Sequence, residues 1–228
     1  MAATAYAAVH PIPPDRYPPG CHPNGKALQG DDTNQILSQT LKGTPRRDLL
    51  RGGGGTDYII GRRDPDCLFG ERGGDSLSGR DGDDRMSGGP GADQFWGAAG
   101  AHWIVGAGGQ DQANGGAGRD AIRLGPGYRD FASGGPGNDR LQGGAGRDRL
   151  IGGRGNDQIL DVAGPNRIGC GPGFDRAVTN EQSEVASSCE MVVRSHGEGA
   201  SSGTALLGTL LPPVRDLLAA LPAVMLIR

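Results

Sequence analysis

Aspartate recurs in this chain at nine-residue intervals. Asp48, Asp57, Asp66, Asp75, Asp84, Asp93, Asp111, Asp120, Asp130, Asp139, Asp148 and Asp157 each stand sixth in a nine-residue unit, and His102 takes that place in one further unit. Aspartate is a good turn former, but a position that asked only for a turn would mix Asp, Asn and Ser. Twelve carboxylates in thirteen units point instead to oxygen ligands for a hard cation. The remaining chemistry-bearing residues are sparse. His10, His22 and His196 are isolated in polar or Pro-rich stretches, and neither flank of the repeat holds HExxH, GxSxG or a nucleophile beside a base. An enzyme is not expected.

The units that carry these aspartates start at Gly43, Gly52, Gly61, Gly70, Gly79, Gly88, Gly97, Gly106 and Gly115. After one extra residue, Leu124, they resume at Gly125, Gly134, Gly143 and Gly152. The clearest run is Gly134 to Leu160, GGPGNDRLQ GGAGRDRLI GGRGNDQIL. The first position reads as Gly in all thirteen units, and the fourth is Gly except at Arg46, Asp64 and Tyr128. The eighth is apolar throughout: Leu50, Ile59, Leu68, Leu77, Met86, Phe95, Ile104, Ala113, Ile122, Ala132, Leu141, Leu150 and Ile159. Glycine permits the positive φ of a tight six-residue turn. A three-residue strand then sends the eighth side chain inward. No unit can bury that side chain alone, so neighbours must stack.

Two units make one coil of eighteen residues, and thirteen make between six and seven coils. The turns stack in two columns. One carries Asp48, Asp66, Asp84, His102, Asp120, Asp139 and Asp157, and the other Asp57, Asp75, Asp93, Asp111, Asp130 and Asp148. Carboxylates one coil apart lie about 5 Å from each other, an unfavourable spacing for like charges unless a cation neutralises them. A dication that takes one oxygen from each turn, and completes its shell with backbone carbonyls, meets the demands of Ca2+ better than those of Mg2+. No His/Cys cluster has zinc spacing. His102 reads as a degenerate unit rather than a ligand. The gaps 57/75, 75/93, 93/111 and 139/157 are expected to hold calcium best, with weaker binding beside His102, Arg46, Asp64 and Tyr128.

Composition agrees. The chain has 228 residues with 44 Gly and only 4% aromatics, so a conventional core is not available to it. The glycine is not in collagen triplets. A net charge of −3 leaves no electrostatic footprint for nucleic acid. Four cysteines without a CxxC favour two disulfides and an oxidising compartment.

The units resemble the repeats-in-toxin, or haemolysin-type, calcium-binding nonapeptide repeat. Asp139 to Asp157, DRLQGGAGRDRLIGGRGND, carries that family's spacing without a departure. The resemblance implies an all-β fold, a parallel β-roll (a right-handed β-solenoid with eighteen residues per coil), with several Ca2+ shared between alternate units. The flanking cysteines and the GCGPGFD…C ending are similar to stand-alone secreted bacterial members without a toxin domain.

Around the roll at 43–160, three further segments are expected. Residues 1–42 form a Pro-rich irregular segment, with one short strand or helical turn within 27–42. Residues 161–194 form a cap locked by Cys170–Cys189, with Gly171 to Val178 as a decayed unit; Cys21–Cys67 pins the N-terminal segment to the roll. Residues 195–228 are a polar linker and an apolar tail broken by Pro212, Pro213 and Pro222, read as a short helix and too interrupted to span a membrane. The expected function is that of a secreted, extracellular, monomeric calcium-binding protein that folds on binding the ion. The alternative is an accessory or adhesin module of a secreted toxin or enzyme, with the tail as a secretion signal or as a membrane or partner contact.

Overall fold

The computed structural model describes residues 10–11, 20–29 and 38–195. The apolar tail and most of the Pro-rich stretch lie outside the described residues. Within them there are strands and no helix, and no helix is long and apolar enough to cross a membrane.

The nine-residue period becomes two parallel sheets. One has eleven strands and the other nine, and from Ala27–Gln29 onward successive strands alternate between them, giving about nine turns of a solenoid. Partners lie one coil apart: Leu50 pairs with Leu68, Leu68 with Met86, and Met86 with Ile104. The facing sheet runs Leu41, Ile59, Leu77, Phe95, Ala113 in the same register. Among the described residues, only the short strand His10–Pro11 pairs antiparallel. Every eighth-position side chain is buried, and together they form one continuous core. Phe95, the largest, is followed in its row by the two smallest, Ala113 and Ala132.

The stacking runs past both bounds read from the repeat. At the N-terminal end Ala27–Gln29 and Thr40–Lys42 are strands of the two sheets, with Leu28 opposite Leu50 and Leu41 opposite Ile59. At the other end Arg167–Gly169, Arg176–Asn180, Glu184–Val185 and Met191–Ser195 continue them, so the expected cap consists of further coils. One inward apolar residue per strand is enough to continue a coil, and Ile168 and Ala177 supply it in units whose first position is no longer glycine. Both disulfides pair as expected. Cys170–Cys189 joins the core, and Cys21–Cys67 forms a small cluster with Leu49.

The frame shift also resolves differently. Leu124 is not an insertion before a unit. It takes the first position, fully buried: its N–H donates to the Gln142 carbonyl and its carbonyl accepts from Ala107. Gly125 and Gly127 then stack on Ala107 and Gly109, so Gly127, not Tyr128, holds the fourth position. The extra residue falls in the exposed turn at Tyr128 and Arg129, where the guanidinium lies 5.1 Å from the ring centre.

Candidate metal centres in the turn columns

All twelve predicted aspartates, and His102, are buried at the turn edges. Their two carboxylate oxygens have separate tasks. Oδ1 accepts a backbone hydrogen bond from the equivalent residue one coil earlier. Asp48 N–H donates to Asp66 Oδ1 (2.7 Å), Asp75 N–H to Asp93 Oδ1 (2.8 Å) and Asp139 N–H to Asp157 Oδ1 (2.9 Å). The structure therefore brings together the predicted pairs 57/75, 75/93, 93/111 and 139/157 as steps of a ladder. The ladder is not interrupted at His102. Asp84 N–H donates to His102 Nδ1 (3.3 Å) and His102 N–H to Asp120 Oδ1 (2.8 Å). Burial lowers the imidazole pKa, so the ring is neutral and supplies no counter-charge.

In the units that begin with glycine, Oδ2 turns the other way, over that first glycine; in the unit that begins with Leu124, the Asp130 oxygens lie against Gly127 instead. A Cβ on Gly52 would lie 2.5 Å from Asp57 Oδ2 and 2.7 Å from the Gly70 carbonyl oxygen; on Gly134 it would lie 2.3 Å from Asp139 Oδ2 and 2.6 Å from the Gly152 carbonyl oxygen. The first position is thus glycine for want of space, not for backbone freedom. Positive φ belongs to the second and fourth positions, as at Gly53 (100°) and Gly55 (110°), where Arg62 (120°) and Asp64 (62°) also adopt it.

This places two acceptors against one small space. Oδ2 of Asp57, Asp66, Asp75, Asp84, Asp93, Asp111, Asp120, Asp130, Asp139, Asp148 and Asp157 is buried and accepts no hydrogen bond. Left alone, such a group favours its protonated form. Burial pushes Asp57, Asp75, Asp111, Asp120 and Asp130 up to about 6, and Asp84, Asp93 and Asp139 to about 7. Asp66 reaches about 8, because burial and then the charges of Asp84 and Asp48 outweigh the Asp48 N–H. A proton or a cation satisfies the pair of acceptors. An asparagine would serve the ladder equally, as Asn166 does by accepting from Asp148 N–H (2.8 Å). The preference for aspartate therefore lies with Oδ2. Hard anionic and carbonyl oxygens, with no nitrogen or sulfur donor except at His102, fit Ca2+.

Asp48 stands apart. Its Oδ1 accepts from Lys26 N–H, and its Oδ2 accepts from the Thr44 amide (2.5 Å) and hydroxyl (3.2 Å). Three further carboxylates escaped the sequence reading. Asp175 is the sixth residue of a unit at 170–178 whose first position is Cys170, one residue ahead of the decayed unit expected there. It accepts from Asp157 N–H (2.7 Å), and its Oδ2 is buried without a partner. Glu190 extends the same ladder by accepting from Asp175 N–H (2.7 Å). The CGPGFD turn is the signal that finds Asp175, once a cysteine is allowed in first place. Asp161, fully buried, stands in the first position one coil after Gly143, where the repeat gives no reason to look for a carboxylate.

Comparison with known families agrees with this geometry. The model for the RTX calcium-binding nonapeptide repeat matches in four copies, at residues 38–66, 69–101, 96–129 and 127–159, more than half of the chain. No curated protein matches it.

Proposed function

The chain belongs to the RTX calcium-binding nonapeptide repeat family, and from that premise we propose that it is a non-catalytic β-roll protein of the extracellular space that folds as it takes up several Ca2+ ions. The observation that supports this reading is the row of buried Oδ2 atoms, each without a donor, with the next coil's carbonyl in the same space at turns such as those of Asp57, Asp75, Asp139 and Asp157. Bound calcium would supply the positive charge that lets these acceptors face one another. The ligands would be Asp57, Asp66, Asp75, Asp84, Asp93, Asp111, Asp120, Asp130, Asp139, Asp148 and Asp157, with first-position carbonyls such as those of Gly70 and Gly152 beside them. Asp48, already paired, would contribute least. Residues 43–160 would be the calcium-responsive part, and the flanking coils its disulfide-braced ends.

Two features support an extracellular setting. Two disulfides suit an oxidising compartment. Oxygen sites of this kind in extracellular modules work at about 10⁻⁴–10⁻³ M calcium. Without the ion, ionised buried carboxylates oppose folding, and a core of one side chain per strand is thin. The chain should then be largely unfolded and gain structure with binding. Far-UV circular dichroism during a calcium titration, reversed with EGTA, tests this. A cooperative gain of strand signal is expected, and a spectrum indifferent to calcium overturns the proposal.

A further inference from the structure

The second column ends differently from the first. Asp157 is followed in its column by Asp175 and Glu190, so the carboxylate ladder continues. Asp148 is followed by Asn166 and then Ser183, whose hydroxyl accepts from Asn166 N–H (3.2 Å). Asn166 keeps the Oδ1 step, but its amide group is a donor, bonded to the Ala163 carbonyl (3.1 Å). The anionic oxygen of the column is missing at that coil.

A carboxylate returns in the same coil from another position. Gly52, Gly70, Gly106 and Gly134 each meet one carboxylate oxygen and a carbonyl, but over Gly143 two carboxylates converge. A Cβ there would lie 2.5 Å from Asp161 Oδ2 and 2.7 Å from Asp148 Oδ2. Asp161 is 2% exposed, and neither of its oxygens accepts a hydrogen bond; Asp148 Oδ2 accepts none either. Thr179, opposite Asp161 in the next strand, is fully buried with its hydroxyl unpartnered. Burial and the Asp148 charge push the Asp161 carboxyl up to about 8, while the nearby Gly144 and Ala163 N–H groups pull against them without closing a hydrogen bond.

We propose that Asp148 and Asp161 form a calcium site with two anionic oxygens, in which a first-position aspartate replaces the carboxylate lost at Asn166. The site lies partly beyond residue 159, where the family match ends, and it rests on the calcium reading above. Two facing carboxylates balance a dication where turns such as those at Gly52 and Gly134 offer one carboxylate and a neutral carbonyl over the glycine. Calcium affinity rises with ligand charge, so this is the tightest site of its column and holds the C-terminal coils while the rest of the roll empties.

The test is calcium stoichiometry and affinity by isothermal titration on the full chain. Wild type should show a tight class that Asp161→Asn removes, with one ion per chain fewer. Asn166→Asp restores the repeat's consensus aspartate and separates the alternatives. If Asp161 already serves the coil, the ion count stays at the wild-type value. If the coil lacks a site, the count rises by one, and the proposal fails. The double variant Asp161→Asn/Asn166→Asp should recover the ion lost in Asp161→Asn. Unchanged binding in Asp161→Asn also overturns the proposal. A wild-type chain that binds no calcium would overturn the parent reading instead.

Discussion

At the Asp48 turn the buried carboxylate takes its hydrogen bonds from the chain itself, through Lys26 and Thr44. At the Asp93 turn the same residue, at the same step of the roll, has one oxygen on the Asp75 amide and the other on nothing. The cause is the residue at the second position. In interior coils its N–H is committed to the next coil, as Ala107 is to Leu124 and Gly153 to Cys170, and a glycine there has no side chain to donate. Thr44 aims both its amide and its hydroxyl at Asp48 instead. The difference teaches that a buried carboxylate ladder does not by itself demand a cation. A proton or a cation is called for only where the turn supplies no donor of its own.

The largest effect that would sharpen this contrast is that of pH on the ion-free chain. The interior carboxylates sit at about 6 to 8 when folded, above the ordinary 3.8 of the unfolded chain. The folded form thus holds protons that unfolding releases. Its stability from this source is full below pH 3.8 and is lost as pH rises through 6 to 8. In EGTA, acidification from about pH 8 to about pH 5 should restore strand signal, reversibly. An ion-free chain equally unfolded at both values would mean that Oδ2 is not what opposes folding.

Next in size is the space over the first-position glycine. In calcium, Gly134→Ala puts a methyl group against Asp139 Oδ2 and the Gly152 carbonyl, and should cost about 1–3 kcal/mol in urea unfolding. Gly169→Ala meets nothing within 4 Å and should stay within about 0.5 kcal/mol of wild type. Equal losses would break the link between this glycine and the carboxylate above it.

The smallest effect tests the comparison directly. Asp93→Asn keeps the Oδ1 step, as Asn166 shows, but removes the anionic Oδ2. It should raise the calcium midpoint about tenfold, or about 1.4 kcal/mol. Asp48→Asn should change it less than about twofold, under 0.5 kcal/mol, because chain donors already satisfy Asp48. Matching shifts would show the two turns to be equivalent after all.

Much of the fold was legible because its requirements are local. A turn, a short strand and one inward side chain lie within nine residues, and the eighth position predicts most of the side chains that form the core. The aspartate columns followed from the same count. The ends were less legible, since coils there change length: Ile168 pairs with Val185 and Ala177 with Val192, seventeen and fifteen residues on. Leu124 misled the frame because a glycine follows it at once, and only the backbone bonds show which of the two takes the first position.

The sequence by itself determined the period, most of the core, and the two columns with their carboxylates, because each is a property of residue type at fixed spacing. Tertiary structure alone decided which oxygen each aspartate leaves unpaired, why the first glycine is needed, and that Asp161 meets Asp148. Those depend on what the neighbouring coil places in the same few ångströms. A residue eighteen positions away decides whether a buried carboxylate faces a donor, a carbonyl or a second carboxylate.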